Sequence, residues 1–407
     1  MNTSKKKYMD IKTRIVEISN PQEAERRMKD IGVHPEGIKW MKDKSIFRAL
    51  EVEGINNKAA NILKQEMLSI GGEVAVPAGI LEFKGGSSRV LMTGTLKHYN
   101  LLISKLKIQP FGLVHLAGQI SNTLKEREKG KTFNLKCGKY RLKLGAKPRV
   151  MGVLNITPDS FSDGGRFDNI DAALRHAEDM VKAGADIIDI GGESSRPGAR
   201  SVELKEELRR VIPVIKKIAK NIKVPISIDT YKSRVAREAL ENGASIVNDI
   251  SALRFDRSMA SVVASYGVPV VLMHMQGMPR NMQNNPRYND VVEDIIEFLR
   301  QRVNFAVKKG VKEEQIIVDP GIGFGKKLEH NLRIIKNLKN FAILGRPVLF
   351  GPSRKRFIGD ILGVGTEDRE EGTLASCVVG ALNGAHILRV HDVGKVVRAL
   401  KVFEAIH

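Results

Sequence analysis

Ala183-Gly-Ala-Asp-Ile-Ile-Asp-Ile-Gly-Gly-Glu-Ser-Ser-Arg196 contains one full repeat of a structural pattern. A helix-period stretch, residues 171–183, leads into it and stops at Gly184, a residue that accepts the left-handed backbone closing a helix. Residues 187–190 then form a short β-branched run that reads as a strand. The strand opens into a loop of glycine, serine and arginine, and a second helix-period stretch occupies residues 203–220.

The same pattern recurs on both sides. Strand-like runs stand at residues 150–154, 187–190, 225–228, 245–247, 269–273, 315–318, 347–350 and 387–390. Helix-period segments lie between them, among them 233–241 and 291–309, and Gly243 and Gly310 repeat the terminating signal of Gly184. Eight strands alternating with helices predict an α/β fold, a (β/α)8 TIM barrel, and a barrel of about 250 residues accommodates this part of the chain. A doubly wound open sheet is the structural competitor.

Ahead of the barrel, the reading gives a smaller α+β domain over residues 1–130, with the barrel domain at 131–407. Strands are expected at 14–18, 47–52, 73–77 and 89–95, and helices at 21–31, 57–70 and 97–106. The charged run 125–131 reads as a linker. Two alternating runs around Gly138-Lys139 predict a hairpin just before the barrel.

The net charge is +21, and two thirds of the excess lies before Pro148, where 28 basic residues face 14 acidic ones. Without zinc-finger spacing or an aromatic RNA-binding motif, this reads as a solvated lysine-rich surface and no nucleic-acid partner is expected. No run approaches the roughly 20 apolar residues of a spanning helix, so no membrane partner is expected either. No apolar stretch follows the basic start, and a cytoplasmic protein is expected. The two cysteines, Cys137 and Cys377, lack metal-site spacing and read as reduced, packed thiols.

A TIM barrel builds its site at the C-terminal strand ends. Here those ends are polar: Asn155, the 191–196 loop, Asp229, Asn248-Asp249, His274, Asp319, Ser353-Arg-Lys355 and Arg389-Val-His391. Asp229, Asn248, Asp319 and Lys355 suit a flat heterocycle that carries donors and acceptors along one edge. Asn155, Arg196, Arg389 and His391 suit a polyanion such as pyrophosphate. Taken singly, Asp229 and His391 could cap helices, and Lys355 could be a solvated surface residue. The run Gly321-Ile-Gly-Phe-Gly-Lys326 fits neither P-loop nor Rossmann spacing and reads as a flexible loop presenting Phe324.

Met151-Gly-Val-Leu-Asn-Ile-Thr-Pro-Asp-Ser-Phe-Ser-Asp-Gly-Gly165 and Asp189-Ile-Gly-Gly-Glu-Ser-Ser-Arg-Pro-Gly-Ala199 resemble the two signatures of dihydropteroate synthases. Ser227-Ile-Asp-Thr230, Val247-Asn-Asp249, Leu272-Met-His-Met-Gln-Gly277, Asp319-Pro-Gly-Ile-Gly-Phe-Gly325, Ser353-Arg-Lys355 and Arg389-Val-His-Asp392 follow in the family's order, so the resemblance covers about residues 132–407. It implies condensation of 6-hydroxymethyl-7,8-dihydropterin pyrophosphate with p-aminobenzoate, assisted by Mg2+, in folate biosynthesis. It further implies that Asp229, Asn248, Asp319 and Lys355 hold the pterin, and that Asp229 steadies charge on the ring. Asn155, Arg196, Arg389 and His391 would bind pyrophosphate, with Asn155 toward the metal. Ser195, Pro197, Phe324 and Ser353 would shape the amine pocket, and a homodimer is implied.

Two departures stand out. The family usually carries Thr where this chain has Ser195, and smaller or apolar residues where it has Pro352 and Arg356. A slightly altered amine pocket is the expectation. Three competing readings remain: a related synthase using another arylamine, a methyltetrahydrofolate:corrinoid methyltransferase, and a non-catalytic barrel. A methyltransferase has no use for a pyrophosphate site, and the non-catalytic barrel would lack members of the pterin set, all of which are present.

Overall fold

The computed structural model describes residues 12–82, 86–129, 132–145, 147–156, 166–194, 198–199 and 201–406. The chain forms two compact units, Met1–Lys131 and Thr132–His407.

In the first unit, helices α1 (Pro21–Ile31) and α2 (Pro35–Met41) precede strand β1 (Phe47–Asn56). Helix α3 (Asn57–Leu68), β2 (Glu73–Ala75), β3 (Ser87–Thr95), α4 (Leu96–Leu106) and α5 (Leu113–Lys129) follow. The sheet is antiparallel with order β1-β3-β2. One sheet face and the apolar stripes of α3, α4 and α5 share a core around Leu63, Met67, Met92, Tyr99 and Leu102. Three sequence expectations change here. Residues 14–18 form no strand: Ile15 is almost wholly exposed, and β-branched composition without a pairing partner does not make one. Helix α2 was not foreseen. The charged run expected as a linker continues α5 as far as Lys129, since Lys, Glu and Arg are good helix formers in water.

The second unit opens with the predicted hairpin, β4 (Phe133–Cys137) and β5 (Tyr140–Leu144), turned at Gly138 with φ +59. Eight parallel strands follow: β6 (Arg149–Asn155), β7 (Ile187–Gly191), β8 (Ile226–Asp229), β9 (Ile246–Asp249), β10 (Val270–Met273), β11 (Ile316–Asp319), β12 (Leu349–Phe350) and β13 (Ile387–Val390). They pair in the order β11-β10-β9-β8-β7-β6-β13-β12. A parallel bridge between Val318 and Val348 closes the ring, and the barrel is a TIM barrel. Helices α6 (Arg166–Lys182), α7 (Leu204–Asn221), α8 (Ser233–Glu241), α9 (Met259–Tyr266), α10 (Val291–Lys308), α11 (Leu328–Lys336), α12 (Arg356–Leu362), α13 (Glu370–Leu382) and α14 (Val393–Ile406) surround it. Among the described residues, no helix is long and apolar enough to cross a membrane.

Side chains alternate across a strand, which sorts each barrel strand into two faces. Ile188, Ile190, Ile226, Ile228, Val270 and Leu272 join the core shared with the helices. Met151, Ile187, Ile246, Val271, Ile317, Leu349 and Ile387 pack together as the lower layer of the barrel interior. The hairpin's Leu135, Cys137, Leu142 and Leu144 belong to that same cluster, so the hairpin plugs the barrel's N-terminal end. Gln315 docks it: its side-chain amide accepts from Lys136 N and donates to Lys136 O, as a neighbouring strand would.

Candidate functional site

Two residues above the apolar interior layer, the same strand faces turn polar. Above Ile187 comes Asp189, above Ile246 comes Asn248, above Ile317 comes Asp319, and above Ile387 comes Arg389. The strand period alone carries these groups to the C-terminal mouth.

Arg389 is the centre of the arrangement. Its Nε donates to Asp189 Oδ2 at 2.6 Å and its Nη2 to Asp229 Oδ2 at 2.7 Å. Asn248 Nδ2 donates to the same Asp189 oxygen at 3.2 Å. Burial works against the guanidinium charge, but Asp189 and Asp229 outweigh it and hold Arg389 protonated. Burial pushes the Asp229 carboxyl up, to about 7, against the pull of Arg389, with Asp189 and Glu207 adding to the rise. Asp189 Oδ1 is buried and, among the described residues, has no hydrogen-bond partner. An unsatisfied buried acceptor costs about 1–3 kcal/mol, a cost tolerated mainly where function requires it.

Asp319 sits across the mouth. The Gly321 N–H donates to its Oδ1 at 2.7 Å. Burial lifts this carboxyl to about 6, with the Gly321 hydrogen bond, Lys355 and Lys326 opposing. Asp229, Asn248, Asp319, Lys355 and Arg389, with Ile250, Met273, Ile322 and Phe324, line one cavity at the mouth. The lining mixes hydrogen-bonding and apolar side chains, a combination suited to a hydrogen-bonding ring.

The loop after β11 is not the flexible segment its glycines suggest. Gly321, Gly323 and Gly325 all have positive φ, and a Cβ at Gly321 would lie 1.9 Å from the His274 carbonyl oxygen. The loop is pinned throughout: Gly323 N donates to Asn331 Oδ1, Gln283 Nε2 to Gly323 O, and Tyr288 Oη to Gly325 O. Glycine serves here for backbone shape and close approach rather than mobility. Phe324 is buried among Ile250, Met273, Met275 and Met282, and Lys355 Nζ stands 4.0 Å from its ring centre.

The loop after β12 turns through Arg354, a non-glycine residue at φ +56, held by Arg354 N donating to Thr373 Oγ1 and Arg369 Nη1 donating to Arg354 O. This turn sends Ser353 and Lys355 in different directions. Ser353 Oγ meets His391 Nδ1 at 3.0 Å. His391 therefore caps no helix; Asp392 does, accepting from Lys395 N at 3.0 Å. Asp229 is likewise not a cap, because Asp256 accepts from Ser233 N at the start of α8. Asn155 reaches the same rim: a Cβ on Gly191 would lie 3.7 Å from Asn155 Oδ1 and 3.5 Å from Asp229 Cβ. Ser195, Arg196 and Pro197, expected in the second loop, lie outside the described residues.

The chain matches the family model described as Pterin binding enzyme over residues 151–391. The chain belongs to the pterin-binding enzyme family. Among this family, it is 51% identical over 261 residues to the dihydropteroate synthase of Bacillus subtilis (strain 168), covering 64% of this chain and 88% of that one. The Xanthomonas albilineans dihydropteroate synthase solved with 4-aminobenzoic acid superimposes with a TM-score of 0.64 at 44% identity, covering 68% of this chain and 98% of that one. A probable bifunctional folylpolyglutamate synthase/dihydropteroate synthase of Haloferax volcanii is 40% identical over 356 residues, covering 86% of this chain and 42% of that one. That last match is longer than Thr132–His407, so it takes in part of the first unit as well.

Within this pterin-binding barrel, eight expected residues gather at one mouth: Asn155, Asp229, Asn248, Asp319, Phe324, Lys355, Arg389 and His391, with Ser353 beside His391. Asp189 was missed, although it lies in the quoted signature. Asp189 lies within β7 rather than at its end, on the inward face it shares with Ile187. Lys326, Glu193, Glu207 and Lys232 were missed too. Lys232 Nζ donates to both Glu193 and Glu207, Tyr231 Oη donates to Glu193 Oε1 at 2.8 Å, and Val202 N donates to Glu193 Oε2 at 3.0 Å. Glu193 thus staples both ends of the second loop to the β8–α8 turn. Nothing in the spacing of these four signalled their roles.

Proposed function

We propose that the mouth of this barrel joins 6-hydroxymethyl-7,8-dihydropterin pyrophosphate to p-aminobenzoate, giving 7,8-dihydropteroate and pyrophosphate. The observation that carries this reading is the ion-paired set Asp189–Arg389–Asp229 with Asn248, Asp319 and Lys355 around one cavity.

Asp229 and Asp319 accept hydrogen bonds from the pterin ring nitrogens and amino group, Asn248 supplies both a donor and an acceptor, and Lys355 donates to an acceptor on the ring. The bond between the pterin methylene and the bridging oxygen breaks, and pyrophosphate leaves with the electron pair. Positive charge grows on the pterin, and the Asp229 carboxylate lies where it stabilises that charge in a desolvated site. The arylamine lone pair then closes on the methylene and the nitrogen gives up a proton. Arg389, His391 and Asn155, with Arg196 from the second loop, would bind the departing anion. Ser195, Pro197, Phe324 and Ser353 would shape the amine pocket, as the family resemblance implies.

Among the described residues, no three His, Cys, Asp or Glu side chains converge on a metal site. Asn155 offers one hard amide oxygen at the rim, which fits a Mg2+ ion carried largely by pyrophosphate and water rather than a protein cage. When bound, such an ion would neutralise charge on the leaving group. The chemistry belongs to residues 131–407, with residues 1–130 as an accessory α+β unit. A cytoplasmic homodimer completes the reading.

A binding measurement separates this site from a generic polar rim. Asn248→Ala should weaken binding of the pterin pyrophosphate by about tenfold or more in calorimetry, since it deletes a paired buried contact. Unchanged affinity would count against the assignment. A synthase using a different arylamine would keep this pterin response and fail only with p-aminobenzoate.

A further inference from the structure

Lys326 follows the three glycines of the β11 loop, and only 3% of its surface is exposed. Its Nζ donates to the Phe324 carbonyl at 2.9 Å and to the His274 carbonyl at 3.4 Å, and it meets His274 Nδ1 at 3.0 Å. In its ammonium form Lys326 has three N–H groups and no lone pair, so these three acceptors satisfy it with Nδ1 accepting. The imidazole hydrogen then sits on Nε2. Burial, with the Lys326 and Arg254 charges, holds His274 well below its ordinary range, which matches this neutral ring. Burial also pulls the Lys326 amine down, to about 7, while Asp319 opposes and Lys355 adds to the fall.

The contacts lead to the cavity wall. Phe324 carries the Lys355 ammonium over its ring, and Lys355 packs on the same loop, where a Cβ at Gly323 would lie 3.1 Å from Lys355 Cδ. At the other end, His274 continues β10 and packs edge-on against Phe298, ring centres 4.8 Å apart. Burying a charge costs several kcal/mol unless every bond is made, and an apolar side chain would fill this space at lower cost. Lys326 does not itself line the cavity, and the condensation gives it no role.

We propose that Lys326 is a positioning residue: by clamping the Phe324 carbonyl to His274 it holds the Phe324 ring beneath Lys355, and so sets where Lys355 meets the pterin. This rests on the pterin reading of the same cavity.

The test is steady-state turnover by the full chain, with pterin pyrophosphate varied at saturating p-aminobenzoate and folding checked by circular dichroism. Lys326→Met should raise the KM for the pterin by about tenfold while kcat falls by less than about threefold, the pattern of lost binding rather than lost chemistry. In a Phe324→Leu background the same substitution should change KM by less than about twofold, because the ring it positions is gone. If Lys326→Met does not fold, His274→Leu removes one of the three acceptors and should show the same dependence on Phe324. An effect of equal size in both backgrounds, or KM within twofold of wild type, overturns the proposal. A wild-type chain without turnover overturns the pterin reading and this inference with it; a competent wild type beside an indifferent Lys326→Met overturns this inference alone.

Discussion

At the scale of single residues, the site concentrates charge that folding alone would avoid. Asp189, Asp229 and Asp319 face Arg389 and Lys355 at one mouth, and the raised carboxyls of Asp229 and Asp319 record the cost. That cost has a measurable sign. Between about pH 4 and pH 6 the folded Asp319 binds a proton that the unfolded chain has released, so its contribution to stability falls as pH rises through this window. Relative to Asp319→Asn, the wild type should therefore lose on the order of 2 kcal/mol from pH 4 to pH 6.5 in denaturant titrations. A parallel pH dependence of the two proteins would show that Asp319 is not desolvated as described. The polar strand ends were legible because each follows a short apolar run. Asp189 was in phase with Ile187 but its partner was not legible, since Arg389 lies 200 residues along the chain, and Lys326 sits in a loop where no strand or helix period applies.

At the scale of elements, the barrel strands were readable almost to the residue, because β-branched runs between glycine-terminated helices have few alternative readings. Helices with mixed surfaces were harder. Helix α5 carries a charged end that resembles a linker, and only packing of Leu113, Leu116, Ile120 and Leu124 into the first unit's core reveals it. The strand expected at residues 14–18 failed for the opposite reason: its composition was right and its pairing partner absent. The β4–β5 hairpin was foreseen as a local feature, but its role as the barrel's lower plug depends on tertiary contacts with seven strands. That role predicts a strong effect far from the chemistry. Leu135→Asp would bury a charge among Met151, Ile187 and Val271, and should destabilise the barrel by about 3 kcal/mol or more in chemical denaturation. A loss below about 1 kcal/mol would mean the hairpin only rests against the barrel.

At the scale of the molecule, the chain joins a pterin-binding barrel to a separate α+β unit with its own core. The barrel's site follows from one geometric fact repeated on several strands: side chains apolar at the base turn polar two residues higher, so a single cavity receives groups from distant parts of the barrel sequence. Among the described residues the first unit offers no comparable convergence, and its basic surplus is read from composition alone. The most direct test of the account uses the whole chain with 6-hydroxymethyl-7,8-dihydropterin pyrophosphate, p-aminobenzoate and Mg2+, following pyrophosphate and dihydropteroate in the same reaction. The account predicts that the two products appear in equal amounts; folded protein that releases neither would contradict it.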